Sequence, residues 1–227
     1  MTRSSGERSQ GAFDFPAGWG GRRRGAGRKP KAERAGVSHG TREVLAARFP
    51  VLVTMKLRSG LPSLRRGATH ALLVATFASM RERDEESFRL VQYSVQSNHL
   101  HFICEAADRE SLSRSLQSLA IRIAKRLNAL WKRAGALFAD RYHDRILRTP
   151  REVRNALAYV LNNAVKHGCR LLREELDPYS SARWFDGWIL GPSTAAPVPS
   201  PLTRAKTWLL SIGWLRHGRL ALLETSS

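Results

Sequence analysis

A short stretch in the middle of the sequence alternates polar and apolar side chains, and this alternation predicts a β-strand. The two sets of alternate positions are His99, His101 and Ile103 on one side, and Leu100, Phe102 and Cys104 on the other. Because side chains alternate faces along a strand, one face can enter a core while two imidazoles lie side by side on the opposite face. Imidazole is the commonest metal ligand in proteins, so the pair predicts half of a divalent metal site. The alternative is two ordinary polar residues on a solvated strand face.

Further along the chain, a segment with strong helix signals predicts a helix that begins at Pro150 and runs to His167. Thr149 suits the N-cap, proline suits the first helical position, and Glu152 stands where a capping box needs it. Gly168 is a natural C-terminal stop.

The same predicted helix carries two side chains that could take part in catalysis. Tyr159 and Asn163 are four residues apart, so a continuous helix would place them one above the other. A deprotonated or polarised phenol can attack phosphorus, and an amide oxygen can bind a hard cation such as Mg²⁺. The alternative is that Tyr159 is a half-buried aromatic and Asn163 merely frays the end of the helix.

Taken together, the histidine strand and the tyrosine helix resemble the HUH single-tyrosine transposases, and among them the REP-associated, insertion-sequence-200-like tyrosine transposases. His99-Leu100-His101 matches the family's His-hydrophobic-His strand, and Tyr159 followed by Asn163 matches its tyrosine and metal ligand. Residues 88–99 and 141–148 also resemble the family's segments ahead of these two motifs. The sequence departs from many relatives in having Ala164 where they have proline.

The resemblance implies an enzyme that cleaves and rejoins single-stranded, hairpin-associated DNA through a 5′-phosphotyrosine intermediate. Tyr159 would be the catalytic nucleophile, and His99, His101 and Asn163 would bind Mg²⁺ or Mn²⁺. Other side chains near the motifs are ranked lower as an extra ligand or proton carrier: Asp140, Asp144, His143 and His167. Two alternatives stay open, a domesticated DNA-binding protein or regulator without catalysis, and a nuclease in which water attacks instead of tyrosine.

The wider pattern predicts an α+β fold, a ferredoxin-like antiparallel sheet with helices on one face plus a C-terminal tyrosine-bearing helix. Apolar periodicity indicates strands and helices in the order β-α-β-β-α-β, which is the split arrangement of that fold. The predicted ranges are strands at 51–57, 88–96, 99–106 and 142–148, and helices at 68–84 and 111–134.

A net charge of +19 and an isoelectric point near 11.3 predict a polyanionic partner, with DNA as the first candidate. The basic residues predicted to contact DNA are Arg22, Arg23, Arg24, Arg28, Lys29, Arg122, Lys125, Arg126, Arg145 and Lys166. No apolar run is long enough for a membrane span, and no signal-peptide core is present. We therefore expect no membrane partner and a cytoplasmic, nucleoid-associated protein of a bacterium-like cell, with monomer and homodimer both open.

Three regions are expected along the chain. Residues 1–45 are rich in Gly and Arg without apolar periodicity, which predicts a disordered basic DNA-binding arm. It loosely resembles a minor-groove hook, although a tail that binds phosphate without selectivity is favoured. Residues 46–170 would form the catalytic domain. Residues 171–227 would form a tryptophan-rich extension, whose tryptophans either stack on unpaired bases or, as favoured, pack against the domain.

Overall fold

The computed structural model describes residues 42–81, 86–163, 176–189, 199–222 and Glu224. The described residues all belong to one compact unit. The predicted arm up to residue 41 lies outside them. The strands are β1 (Val51–Lys56), β2 (Phe88–Val95), β3 (His99–Ala106) and β4 (His143–Ile146). The helices are α1 (Gly67–Arg81), α2 (Arg109–Leu130), α3 (Pro150–Leu161) and the short α4 (Trp208–Ser211), and single 3₁₀ turns cover Ser181–Trp184 and Gly213–His217.

The four strands form one antiparallel sheet in the order β2-β3-β1-β4. β1 therefore lies between β3 and β4, with Thr54 directly opposite His101 on one side and His143 on the other. Together with the two crossover helices, this order is the ferredoxin-like arrangement, and it confirms the predicted α+β fold.

One face of the sheet is covered by α1 and α2. The alternate residues Leu100, Phe102 and Cys104 of β3 enter this core, as predicted. The buried stripes of the two helices pack against these strand residues: Leu73, Phe77 and Met80 of α1 with Leu112, Leu116, Leu119, Ile123 and Leu127 of α2. Burial of both apolar stripes is the main force holding these helices to the sheet, at about 25 cal/mol for each Å² of apolar surface removed from water.

The opposite face of the sheet carries the histidines and is covered by α3 and the C-terminal segment. Ile103 of β3 and Val91 of β2 pack here against the apolar stripe of α3, which consists of Val153, Leu157, Val160 and Leu161. Both faces are therefore buried, and α3 lies over the same face as His99 and His101. This packing is what brings the tyrosine helix close to the histidine strand.

Two helices end earlier than their sequence pattern predicts. α2 stops at Leu130 instead of Ala134, because Lys132 and Gly135 adopt positive φ angles of 50° and 96° and reverse the chain. α3 stops at Leu161 instead of His167, and Asn162 forms its C-cap. The Asn162 Nδ2 donates hydrogen bonds to the backbone oxygens of Ala221 and Glu224, 3.1 and 3.0 Å away. These hydrogen bonds join the end of α3 to the C-terminal segment, and residues 164–167 of the predicted helix lie outside the described residues.

The C-terminal segment is anchored to the sheet through a buried carboxylate. Glu105 of β3 is fully buried and forms an ion pair with Arg89 of β2 over 2.8 Å. The same carboxylate accepts hydrogen bonds from the backbone nitrogens of Lys206 and Thr207 and from the Thr207 hydroxyl. Several donors thus converge on one charge and hold the start of α4 against β3.

The tryptophans of the C-terminal segment differ in their surroundings. Trp188 and Trp214 are buried in the core beneath α3, as the packing alternative predicts. Trp208 is 48% exposed, and the guanidinium of Arg216 lies 4.8 Å from its ring centroid. Within the ranges that the structure describes, no helix is both long and apolar enough to span a membrane.

Candidate active site

Two histidines lie side by side on the α3 face of β3. The ring centroids of His99 and His101 are 4.6 Å apart, and the rings are nearly perpendicular. His101 is buried, with 3% of its surface exposed, whereas His99 is half-buried near the end of the sheet. The strand alternation therefore places both imidazoles on one face, as the sequence predicts.

Each imidazole has a side-chain oxygen next to its Nδ1 atom. Thr54 Oγ1 lies 2.9 Å from Nδ1 of His101, and Asn98 Oδ1 lies 2.8 Å from Nδ1 of His99. Thr54 belongs to the neighbouring strand β1, and Asn98 belongs to the turn before β3. Neither residue belongs to the site that the sequence pattern predicts. The alternation within β1 places Thr54 on a polar face, but only the cross-strand register shows that it faces His101.

Tyr159 approaches the histidines from α3. Its hydroxyl oxygen lies 3.1 Å from Nε2 of His101, and the two ring centroids are 4.9 Å apart. Burial raises the pKa of the phenol above its ordinary value, and the nearby Asn163 side chain partly offsets this rise. The structure thus brings the predicted nucleophile into direct contact with the predicted metal-binding strand, and it holds the phenol in its protonated form at neutral pH.

Asn163 follows the C-cap of α3, so it lies outside the continuous helix that the sequence predicts. Its side chain nevertheless lies beside the Tyr159 phenol, and only 1% of its surface is exposed. Neither Oδ1 nor Nδ2 has a partner at normal hydrogen-bond geometry among the described residues, so the contact with the phenol leaves both atoms largely unsatisfied. A buried amide without partners is costly, by about 1–3 kcal/mol for each unsatisfied group. A ligand that binds the Asn163 oxygen would remove part of this cost.

These side chains fit the metal that the resemblance implies. In the described part of the chain, no three His, Cys, Asp or Glu side chains converge on one point. A site here would therefore use the imidazoles of His99 and His101 and the unpartnered amide oxygen of Asn163. This set of nitrogen and neutral oxygen donors leaves room for phosphate oxygens and water, which suits Mg²⁺ or Mn²⁺.

The lower-ranked alternatives have separate surroundings. Asp144 alternates with His143 along β4 and sits opposite Val53, whose side chain enters the α1–α2 core. Its carboxylate binds the guanidinium groups of Arg42 and Arg109, so it does not face the site. His143 is exposed on the histidine face. Asp140 is exposed and accepts a hydrogen bond from the backbone of Arg141, while His167 lies outside the described residues.

The basic residues predicted to contact DNA are divided between the two sides of the sheet. Arg145 points to the histidine face of β4, and its guanidinium lies 2.9 Å from Glu152. Arg122, Lys125 and Arg126 belong to α2, which covers the opposite face. Arg122 and Arg126 donate hydrogen bonds to the hydroxyls of Ser79 and Thr76 on α1, while Lys125 is exposed. Lys166 and the predicted arginines and lysine of the arm lie outside the described residues: Arg22, Arg23, Arg24, Arg28 and Lys29.

One exposed cation near the site was not singled out from the sequence. Lys56 ends β1 directly opposite His99, so its side chain lies on the histidine face. It alternates with the buried apolar residues Met55 and Leu57, which predicts exposure, but the sequence alone does not show which residue it opposes. Lys56, His143 and Arg145 together give the histidine face a basic rim.

Comparison with known proteins finds a likeness among solved structures. No protein-family profile matches the sequence, and no curated protein matches it. A solved structure described as "Structure of the REP associates tyrosine transposase bound to a REP hairpin" has a similar fold, with a TM-score of 0.52 and 16% sequence identity. The match covers 63% of this chain and 82% of that chain. At this identity, the likeness shows the shared fold.

Proposed function

We propose that this chain is a metal-dependent HUH-type tyrosine transposase that cleaves and rejoins single-stranded DNA beside a hairpin. The observation that carries the proposal is the 3.1 Å contact between the Tyr159 hydroxyl and Nε2 of His101, with His99 adjacent. The two histidines belong to β3 and Tyr159 belongs to α3, elements far apart in sequence that the fold brings together. The related fold, seen in a transposase bound to a DNA hairpin, supports the same class of substrate.

The proposed reaction exchanges one phosphate ester for another. The Tyr159 oxygen attacks phosphorus and forms a phosphotyrosine bond, while the bond from phosphorus to the 3′ oxygen breaks. The 3′ oxygen takes up a proton and leaves as a hydroxyl, and the 5′ end stays attached to the protein. A second 3′-hydroxyl can reverse the step on another end. The ester bond is conserved throughout, so joining needs no nucleotide cofactor.

His101 cannot contact the phenol and bind a metal through the same nitrogen at the same time. Its Nε2 contacts the phenol oxygen in this structure, and the same nitrogen is the one that would bind a metal. One lone pair serves only one partner, so the phenol must leave this contact when the site is loaded. A bound divalent cation would polarise the scissile phosphate and stabilise its developing negative charge. His99, His101 and Asn163 would hold it.

Substrate binding is assigned mainly to phosphate contacts. Lys56, His143 and Arg145 surround the histidine face, and a DNA strand that reaches Tyr159 must pass these groups. The basic arm adds attraction that does not depend on sequence. Base recognition of the hairpin is left to residues that the charge pattern does not identify.

The test is covalent trapping with a DNA hairpin that carries a single-stranded extension, in the presence of Mg²⁺ or Mn²⁺. The wild-type chain should form an adduct that survives denaturation, and Tyr159→Phe should form none while still binding the hairpin. Tyr142→Phe is the matched control. Tyr142 is buried in the α1–α2 core on the other side of the sheet, and its hydroxyl has no partner there.

The outcomes separate the proposal from its alternatives. Cleavage without an adduct, unchanged in Tyr159→Phe, indicates a nuclease in which water attacks. Hairpin binding without cleavage in any variant indicates a non-catalytic DNA-binding protein. An adduct that persists in Tyr159→Phe and vanishes in Tyr142→Phe contradicts the assignment of the nucleophile.

A further inference from the structure

Both histidines of the site make a contact that plays no direct part in the proposed metal binding. Both imidazoles place Nδ1, the ring nitrogen nearer the backbone, against a side-chain oxygen. The distances are 2.9 Å from His101 to Thr54 Oγ1 and 2.8 Å from His99 to Asn98 Oδ1. The Tyr159 hydroxyl lies on the other nitrogen of His101, Nε2, at 3.1 Å.

Hydrogen-bond chemistry determines where the protons belong in this arrangement. A neutral imidazole has one N–H donor and one nitrogen lone pair. The amide oxygen of Asn98 can only accept, which requires the proton of His99 on Nδ1. A hydroxyl can accept as readily as it donates, so Thr54 can receive the Nδ1–H of His101. Nε2 of His101 then keeps its lone pair and accepts the O–H of Tyr159.

The two oxygens differ in how firmly they are held. Thr54 sits on β1 directly opposite His101, so the ladder between the two strands determines the contact. His101 is buried, and water has little access to replace a lost partner. Asn98 lies in the exposed turn beside His99, where water can take its place. Loss of the contact between Thr54 and His101 should therefore have a larger effect than loss of the contact between Asn98 and His99.

We propose that Thr54 is a positioning residue that holds His101 in the tautomer with its proton on Nδ1, so that Nε2 presents a lone pair to Tyr159 and to the metal. The inference rests on the proposed function for its metal, but its tautomer part does not depend on catalysis. Oxygen partners of this kind typically change metal affinity by 10–100-fold when they are lost.

The experiment compares Thr54→Val with Thr54→Ser in the full chain. Valine keeps the shape and removes the hydroxyl, whereas serine keeps the hydroxyl. Two measurements apply: the tautomer of His101 by ¹⁵N nuclear magnetic resonance without metal, and the affinity for Mn²⁺ alone without DNA. Thr76→Val is the matched control, because Thr76 is a buried threonine whose hydroxyl also makes hydrogen bonds, but on α1 across the sheet.

We expect the proton of His101 on Nδ1 in the wild type, in Thr54→Ser and in Thr76→Val. Thr54→Val should shift the population toward the other tautomer and weaken Mn²⁺ binding by about 10–100-fold, and serine should restore both. A wild-type His101 protonated on Nε2, or Thr54→Val with unchanged tautomer, overturns the inference. If the tautomer responds as expected but Mn²⁺ does not bind the wild type, the metal assignment fails while the positioning role stands.

Discussion

At the scale of single residues, His101 is the point where the site is most constrained. It is buried, yet both ring nitrogens have partners, Thr54 on one side and Tyr159 on the other. A buried polar group without partners costs about 1–3 kcal/mol, so these contacts let an imidazole occupy the interior of a folded sheet. Within the described part of the chain, neither polar atom of the buried Asn163 side chain has a partner at normal hydrogen-bond geometry.

The histidines give the first prediction. His99→Ala and His101→Ala should each lower adduct formation by roughly 100-fold or more, because loss of a direct ligand exceeds the 10–100-fold effect of an outer partner. Hairpin affinity should change little, since phosphate contacts by Arg and Lys supply most of it. Trapping assays and binding titrations at constant salt measure the two effects. His217→Ala, at an exposed histidine of the 3₁₀ turn Gly213–His217, is the control, and full activity in the His99→Ala, His101→Ala double variant would contradict the metal assignment.

At the scale of elements, α3 is held at both ends. Its start has a complete capping box, in which Thr149 accepts from the Glu152 backbone and Glu152 accepts from the Thr149 backbone. In the second turn, the guanidinium of Arg154 contacts both oxygens of Glu224, and this contact lowers the pKa of the Glu224 carboxyl. At the other end, the Asn162 side chain donates hydrogen bonds to the backbone of the C-terminal segment. The nucleophile is thus carried by a helix whose position depends on its ends as well as on its apolar stripe.

The cap gives the second prediction. Thr149→Ala should lower the free energy of unfolding by about 1 kcal/mol, the usual cost of losing an N-cap hydroxyl. Urea denaturation measures the change. Thr149→Ser keeps the hydroxyl and should lose much less. Equal losses in the two variants would mean that the side-chain cap contributes little here.

The buried carboxylate of β3 gives the third prediction. Glu105→Gln keeps the size of the side chain but leaves Arg89 facing a neutral amide, and it weakens the contacts with Lys206 and Thr207. Removing one partner of a buried ion pair typically costs about 3–5 kcal/mol. We expect a loss of that order in urea denaturation. The exposed pair of Glu110 and Arg114 offers the control, since Glu110→Gln should change stability by less than about 1 kcal/mol.

At the scale of the whole molecule, basic charge lies on both sides of the sheet, but only one side contains the candidate site. Lys56 and Arg145 belong to the face with the histidines and Tyr159, whereas Lys125 lies on the helix that covers the opposite face. A sheet and its helices stand between them. A short DNA strand bound at Tyr159 therefore contacts the first group more readily than the second.

This division gives the fourth prediction. Lys56→Gln should weaken hairpin binding and reduce the salt dependence by about one phosphate contact, because each contact contributes roughly 0.9 to the slope of log affinity against log salt. Lys125→Gln should have a smaller effect on both. Titrations over a range of salt concentrations give the slopes. A larger loss in Lys125→Gln would place the DNA on the α1–α2 side.

The arm gives the fifth prediction. Deletion of residues 1–41 removes a strongly basic segment, so hairpin affinity should fall and its salt dependence should become shallower. The deletion stops before residues 42–45, because Leu45 is buried in the α1–α2 core and Arg42 contacts Tyr142 and Asp144. Thermal unfolding of the truncated chain checks that the folded unit survives. A large loss of stability would show that the arm is structural.

The sequence by itself determined the features that depend on neighbouring residues. The alternation in β3 specified which side chains enter the core and which face holds the imidazoles, and Thr149, Pro150 and Glu152 specified where α3 begins. These signals are local, because a strand repeats every two residues and a helix start is satisfied within one turn. The histidine strand followed by the Tyr159 helix was enough to suggest the family resemblance from which the site was proposed.

Only the tertiary structure decided which elements meet. Register is set by pairing between strands far apart in sequence, so Thr54 beside His101 and Lys56 beside His99 could not be predicted from β1 alone. The contact of Asn162, at the end of α3, with the backbone of the C-terminal segment likewise joins residues far apart in sequence. Similarly, only the packing of α2 shows that its basic residues lie on the side of the sheet opposite the histidines. Local periodicity determines which side chains share one face of a strand or helix. Burial of apolar surface across the whole chain determines which element packs against that face.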